Sequence, residues 1–406
     1  MKKLELLAPA GNLSKLKVAL NYGADACYVG GKDFSLRSYA DNFTYEELAE
    51  GVEYAHKLGK KVYVTANIFA KNADFEQVKE YFKYLESIAV DAVLITDAGL
   101  MALAKEVAPG LPRHLSTQAN TLNKYTVKFW AEQGVERVVL ARELSLQDVK
   151  EIHDFNKDTE LEAFVHGAMC ISYSGRCLLS NYLTSRDANR GECVQACRWN
   201  YEIKEISKYP RPPLEVQEDE RGTYFMNSKD LNMLSYIAEL AESGIVSFKI
   251  EGRMKSEYYL ATVISAYRKA IDEYYEHGAV VSCEELQKEL LKIAHRDYTT
   301  AYAFCNNEKT VSYNDDQHNG SHDFIASVKS AKAGEAVVEM RNRFYSGDTL
   351  EILSPTTNHN KTFEITTIIN SRQESITDAK RVQELLPLTL PDDITLSAGD
   401  MLRRKK

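Results

Sequence analysis

Four of the seven cysteines in this 406-residue chain fall in one stretch, from Glu162 to Arg198 (EAFVHGAMCISYSGRCLLSNYLTSRDANRGECVQACR). Structural cysteines usually sit singly in apolar runs, whereas Cys170, Cys177, Cys193 and Cys197 lie among Gly, Ser, Asn and Arg, residues that turn the backbone and let thiolates converge. A metal or cluster site is the chemistry this suggests. Six, fifteen and three residues separate the successive cysteines, which is not the paired two-residue spacing of a zinc ribbon. Four thiolates also hold an iron–sulfur cluster (4Fe-4S), which tolerates irregular loops and favours cationic and amide donors nearby. Arg176, Arg186, Arg190 and Arg198 supply such cations. From the residues alone three readings stay open: an iron–sulfur cluster, zinc, and unliganded or redox-active thiols. Cys27, Cys283 and Cys305 lie apart, and Cys27 falls in a predicted core strand as a small buried residue.

The elements that must position these thiols follow a regular beat. Strands are predicted at Leu4 to Leu7, Ala26 to Val29, Val62 to Ala66, Ala92 to Ile95, His114 to Ser116, Arg137 to Leu140, Leu161 to Val165 and Val246 to Ile250. Amphipathic helices fall between them: one capped by Asn12 and stopped at Gly23, one opened by the capping box Thr44 to Glu47 and ended at Gly59, and others over Phe75 to Ile88 and Ser145 to Phe155. Eight strands, each followed by a helix, predict a (β/α)8 TIM-like barrel, with the cysteine region inserted after the seventh strand. The expected domains are a barrel over 1–278 with the insertion at about 166–225, a helical linker over 279–323, and a small β-barrel over 324–406. The long helix Glu257 to His277 and a helical Glu284 to Ala294 precede the last of these. Tyr209 to Gly222, charged and Pro-containing, is expected to be an exposed loop.

Composition narrows the class. An apolar share of 44% and a charged share of 27% are those of a soluble globular protein. No run approaches the ~18 apolar residues of a membrane span, and Glu5 and Pro9 interrupt the apolar start. A cytoplasmic protein with reduced thiols is therefore expected, and no membrane partner. A net charge of -9 argues against a generic nucleic-acid binder, though it leaves room for a local basic face.

Barrel enzymes carry their active sites where strand C-termini meet the following loops. The predicted strand ends here are polar: Asn67, then Thr96 and Asp97, then Ser116, Gln118 and Asn120, then Arg142 and Glu143, then His166, then Glu251 and Arg253. Each has a plainer explanation, such as helix capping by Asp97 or an ion pair between Glu251 and Arg253. Their shared place at one mouth is what makes them candidates.

The run Glu162-x-Phe164-x-x-Gly167-Ala168-Met169-Cys170, followed by Gly175-x-Cys177-x-Leu179-Ser180, resembles the signature of the collagenase-like peptidase family U32. Leu7 to Asn12 (LAPAGN), the GADACYVGG run from Gly23, Arg37 through Asn42-Phe43, and Phe248 to Ser256 (FKIEGRMKS) are similar to the same family, so the resemblance covers nearly the whole chain. By length and domain order it points to the branch of tRNA hydroxylation proteins. For that branch the resemblance implies conversion of the wobble uridine of tRNA to 5-hydroxyuridine without molecular oxygen, with prephenate as co-substrate, an electron donor or paralogous partner, and in some members a four-iron cluster on four cysteines. Cys170 and Cys177 match within the signature; Cys193 and Cys197 follow it, and the last pair varies among branches.

On that reading the cluster lies beside the barrel mouth and the mouth residues orient a nucleobase. Arg37, Arg142 and Arg253 are candidate clamps for the two carboxylates of prephenate, because guanidinium groups bind carboxylates through paired hydrogen bonds. Asn67, Gln118 and Asn120 could read the edge of a splayed base. His166 is the candidate for proton transfer, with Asp97 and Glu251 as further acid–base candidates. Arg341, Arg343, Arg372, Lys380, Arg381 and Arg403-Arg404-Lys405-Lys406 offer cationic edges on the small domain, with Tyr345 for stacking; the plainer view makes the last four a frayed tail. The rival enzyme class is a peptidase, either metal-dependent or of unassigned type. Against it, the chain has neither H-E-x-x-H nor G-x-S-x-G. A third reading is an RNA-binding or assembly factor with a structural metal site.

Overall fold

The computed structural model describes residues 3–32, 34–35, 41–199, 218–219, 222–223, 227–304, 310–312, 317–370, 372 and 374–406. Arg37, Cys305 and most of the loop expected over Tyr209 to Gly222 lie outside them. Eight short strands, β1 (Glu5–Pro9), β2 (Ala26–Gly30), β3 (Lys61–Ala66), β4 (Ala92–Ile95), β5 (Arg113–Leu115), β6 (Arg137–Val139), β7 (Glu160–Ala168) and β9 (Ile245–Ile250), pair in parallel and in that order. β9 closes the ring, pairing Leu7 with Lys249 on one side and Ile250 with His166 on the other. The expected TIM-like barrel is present. β2 is buried along its whole length (ACYVG) because strands wrapped by helices must be apolar on both faces.

The helices start and stop where the caps dictate. The Asn12 side chain accepts from the Lys15 amide at 2.9 Å and opens α1 (Leu13–Asn21), and Gly23 at φ +111° lets the chain leave it. Thr44 and Glu47 form a reciprocal capping box on α2 (Tyr45–Lys57), and Ser145 and Asp148 do the same on α6 (Leu146–Phe155). α3 (Phe75–Ser87), α4 (Ala98–Val107), α5 (Lys124–Glu132) and α8 (Ile237–Glu242) complete the wrap, with the long α9 (Glu257–His277) capped by Ser256.

β7 runs on past Val165, where the sequence suggested it would stop, because β8 (Asp230–Asn232) lies antiparallel along residues 166–168. His166 is therefore a strand residue rather than the first residue of a mouth loop. Between β7 and β8 the chain makes the cysteine-bearing insertion, whose regular elements are single turns and the short α7 (Leu179–Thr184).

Past α9 and α10 (Cys283–Leu290), an eight-stranded antiparallel sheet wraps its own apolar core as a half-barrel. Its central strand, His322–Lys332, pairs with Glu335–Met340 and with Met401–Lys405. The terminal basic run is thus a strand and not a frayed tail. Arg403 has no solvent exposure, and Arg404 pairs with Asp348. Arg403 reaches Glu289 of α10 at 2.5 Å and Glu351 of the half-barrel at 2.6 Å, while Lys292 joins the same two carboxylates at 2.8 and 2.7 Å. Further contacts join half-barrel to barrel, among them the ion pair of Arg341 with Glu257 of α9 at 3.5 Å. Tyr258 stacks on Phe324 with ring centroids 5.3 Å apart, and the Tyr22 hydroxyl donates to the carbonyls of Leu353 and Gly399.

Burial alone would raise the Glu289 carboxyl, but Arg403 and Lys292 outweigh it and draw it down to about 2. A folded value below the usual 4.5 means a stabilising contribution present above about pH 4.5 and lost as pH falls through about 2. Arg403→Met should cost about 3–5 kcal/mol, because it leaves buried carboxylates without their main partner. Urea unfolding followed from pH 7 downward tests this; a variant with an unchanged midpoint and an unchanged acid limb would show that the cluster contributes no stability.

Candidate functional site

The C-terminal ends of the barrel strands and the insertion enclose a cavity of about 160 Å³. All four clustered cysteines line it: Cys170, Cys177, Cys193 and Cys197. Among the described residues no three His, Cys, Asp or Glu side chains converge closely enough to grip one bare ion, so the thiols face a shared space rather than a single point. Each of the four is half-buried. Burial pushes the Cys197 thiol up; adjacent Arg198 opposes this, and Cys170, Cys193 and Cys177 push it further up, as groups facing the same volume must.

Local hydrogen bonds set the backbone around each thiol. Glu143, at the end of the sixth barrel segment, accepts from the amide and hydroxyl of Ser174 at 2.6 and 2.5 Å and fixes the turn between Cys170 and Cys177. The Asn189 side chain brackets Cys177, accepting from its amide at 3.3 Å and donating to its carbonyl at 2.9 Å. The Ser180 hydroxyl donates to the Glu192 carbonyl and accepts from the Val194 amide, so it holds both sides of Cys193. Arg198 donates to the Met169 carbonyl and ties the end of the insertion to its beginning. The whole unit is pinned to the barrel by Arg190, which meets both oxygens of Asp74 at 2.8 and 3.0 Å.

Of the remaining candidates, Asn67, Gln118, Arg142, Glu251 and Arg253 line this cavity. The Arg142 guanidinium lies 4.0 Å over the Phe164 ring, and its buried Nε finds no hydrogen-bond partner among the described residues. Gln118 donates through Nε2 to the Gly175 carbonyl, and its buried Oε1 has none either. Arg253 donates to Thr65 Oγ1 at 3.0 Å. Two glycines of the sequence motifs exist to admit this loop. A Cβ on Gly30 would collide with the Arg253 guanidinium, and one on Gly167, already at φ +103°, would stand 2.5 Å from the Glu251 carbonyl oxygen.

Asp97, Asn120 and His166 are not among the cavity-lining residues. Asp97 caps α4 through the Leu100 amide at 3.0 Å, and Asn120 sits in a left-handed turn at φ +55°. His166 is 1% exposed and boxed by Tyr259, Tyr267 and Tyr298, with its Nδ1 3.4 Å from the Tyr267 hydroxyl.

Lys249, absent from the candidates at the predicted strand ends, forms part of the cavity floor at 3% exposure. Its Nζ is 2.7 Å from fully buried Glu162 and 4.5 Å from the centre of the Tyr28 ring. Burial pulls this ammonium below its ordinary value and Glu162 opposes it. A lysine within the apolar run Val246 to Ile250 was the available signal, since a charge in a buried strand requires a partner.

Residues 11–313 match the family model for peptidase family U32 and residues 320–403 match its C-terminal domain. A tRNA hydroxylation protein of Bacillus subtilis is 42% identical, covering 100% of this chain and 96% of its own. One from Escherichia coli is 38% identical, over 99% and 97%. A 23S rRNA 5-hydroxycytidine synthase of Escherichia coli is 32% identical over 82% of this chain and 46% of its own length.

Burial is the larger influence on His166, lowering its imidazole to about 3 with Asp230 opposing. Because the folded value lies below the ordinary 6.5, the stability tied to the neutral ring is complete above about pH 6.5 and is lost as pH falls toward about 3. Imidazole nitrogen NMR should find His166 neutral throughout pH 5 to 8, the range in which an unperturbed histidine titrates. A ring protonated at pH 6 would return it to the acid–base candidates.

Proposed function

Because the chain belongs to peptidase family U32, alongside relatives named for tRNA and rRNA hydroxylation, we propose that it is an RNA-modifying enzyme. Its reaction is oxygen-independent hydroxylation of the wobble uridine of tRNA to 5-hydroxyuridine. The observation that carries this reading is the sharing of one cavity by four thiols, three cations and two amide side chains. The four thiols with Arg198 beside them suit a multi-atom, electron-rich centre, and Cys170, Cys177, Cys193 and Cys197 would hold a 4Fe-4S cluster. When bound, such a group supplies electron transfer or a Lewis-acidic iron.

The chain's own residues do the rest. Arg142 and Arg253, braced by Phe164 and Thr65, present guanidinium groups suited to a dicarboxylate such as prephenate, with Lys249 beneath as a further positive charge. Asn67 and Gln118 face the same space and suit the donor and acceptor edge of uracil. Glu251, the cavity-lining member of the three acid–base candidates, accepts the proton released at C5. Exchange of C5–H for C5–OH is a two-electron oxidation. With hydroxide as the oxygen unit, whether from water or released by prephenate, one proton and two electrons leave per base, and an electron partner must take the electrons.

Anaerobically purified protein should be brown and contain about four irons and four labile sulfides per chain, with serine at Cys170 or Cys177 abolishing both. Stoichiometric zinc without sulfide would instead favour the peptidase or structural-metal alternatives. Cells lacking the chain, and any paralogue, should lose 5-hydroxyuridine derivatives from tRNA in nucleoside mass spectrometry; undiminished levels would remove this substrate.

A further inference from the structure

The segment that walls the cavity also exposes large apolar side chains. Tyr182 is 85% exposed, Leu178 76%, Tyr173 48% and Trp199 42%. Each is near a cavity-lining residue in the chain: Tyr173 next to Ser174, Leu178 next to Cys177, and Trp199 two residues past Cys197. The Tyr182 amide donates to the Leu178 carbonyl at 2.8 Å, so Leu178 and Tyr182 stand one turn apart on the same side of α7. These side chains therefore belong to the segment that walls the cavity rather than to a patch elsewhere on the barrel.

The segment is also positively charged. From His166 to Trp199 the chain carries Arg176, Arg186, Arg190 and Arg198 against Asp187 and Glu192, a local excess of two in a chain of net charge -9. Arg190 is committed to Asp74. Arg176 and Arg198 donate to neutral oxygens, the carbonyls of Gln118 and Met169 and the Gln195 side chain, and have no acidic partner among the described residues. Arg198 stands beside Cys197, so it is the charge of exposed Arg176 that is left for something outside the chain.

Exposed aromatic rings beside the guanidinium of Arg176, which donates to a neutral carbonyl, fit single-stranded RNA. Unstacked bases cover the rings and phosphates meet the cations. We infer that Tyr182 and Leu178, flanked by Tyr173 and Trp199, form a stacking collar that holds the nucleotides on either side of the base in the cavity. Arg176 holds a phosphate there. This rests on the RNA reading above and adds a surface to it. Stacking tolerates any base, so the collar sets how tightly a loop is gripped, while cavity residues choose the base.

The test is fluorescence anisotropy of the full, anaerobically purified chain with a labelled ribonucleotide hairpin carrying uridine in its loop. Tyr182→Ala should weaken binding about tenfold, the worth of one stacked base, at an unchanged salt dependence, with Tyr182→Trp restoring it. Arg176→Gln should lower the slope of log affinity against log salt by about one. Native affinity in Tyr182→Ala would overturn the collar while leaving the RNA reading in place. Failure of the wild-type chain to bind the hairpin or whole tRNA would overturn both. A wild-type dimer that Leu178→Ser or Tyr182→Ala converts to monomer would assign the surface to a second copy and overturn the inference.

Discussion

Glu162, fully buried in the middle of the barrel, is the residue around which the interior must be arranged. An ionised carboxylate taken out of water costs several kcal/mol even after relaxation, so it persists only with close cations and hydrogen-bond donors. Lys249 supplies one cation at 2.7 Å and Arg137 another at 3.3 Å, and the Ser247 hydroxyl donates at 3.3 Å. Arg137 is itself buried and answered by Glu5 and Glu160, and Glu5 accepts from the Tyr63 hydroxyl. The lower interior is therefore a charged layer rather than the stacked aliphatic one usual in such barrels. Its upper member, Lys249, carries that layer into the cavity floor.

The parallel beat of strands and the caps of α1 and α2 were legible because each is a local signal: a run of three to five residues with strand character, an Asn or Thr at the right offset, a glycine past the end. The charged layer was not. Glu5, Arg137, Glu162 and Lys249 come from four strands far apart in sequence, and only closure of the ring brings them together. His166 illustrates the same limit. It follows an apolar run as a mouth residue would, yet β8, from more than sixty residues later, extends β7 and buries it. In the half-barrel the strand Leu385–Thr389 contains Pro387, which argues against a strand; it pairs with Glu335–Met340 all the same, with Val337 opposite the proline. Arg403 looked like part of a solvated tail because nothing adjacent in sequence announces that Glu289 and Glu351 await it.

The four cysteines were visible as a group, but the means of their approach was not. Side-chain-to-backbone bonds from Glu143, Ser180, Asn189 and Arg198 shape a segment that has little regular structure of its own. Two of the four, Ser180 and Asn189, are of residue types that compete with helix formation and favour turns. The insertion thus owes its form to polar residues where the barrel beneath owes its form to apolar ones. That difference lets loops vary over a constant scaffold.

The half-barrel touches the barrel near both ends of its helices. Tyr22 closes α1 at the end away from the mouth, whereas Tyr258 lies in the first turn of α9 at the mouth end. Held at both of these places, and again where Arg403 reaches Glu289 of α10, the half-barrel cannot swing about any one of them. The separation between the opening and the half-barrel's outer strands is then a fixed length, and the pair works as a calliper set to one span rather than as a jaw that shuts.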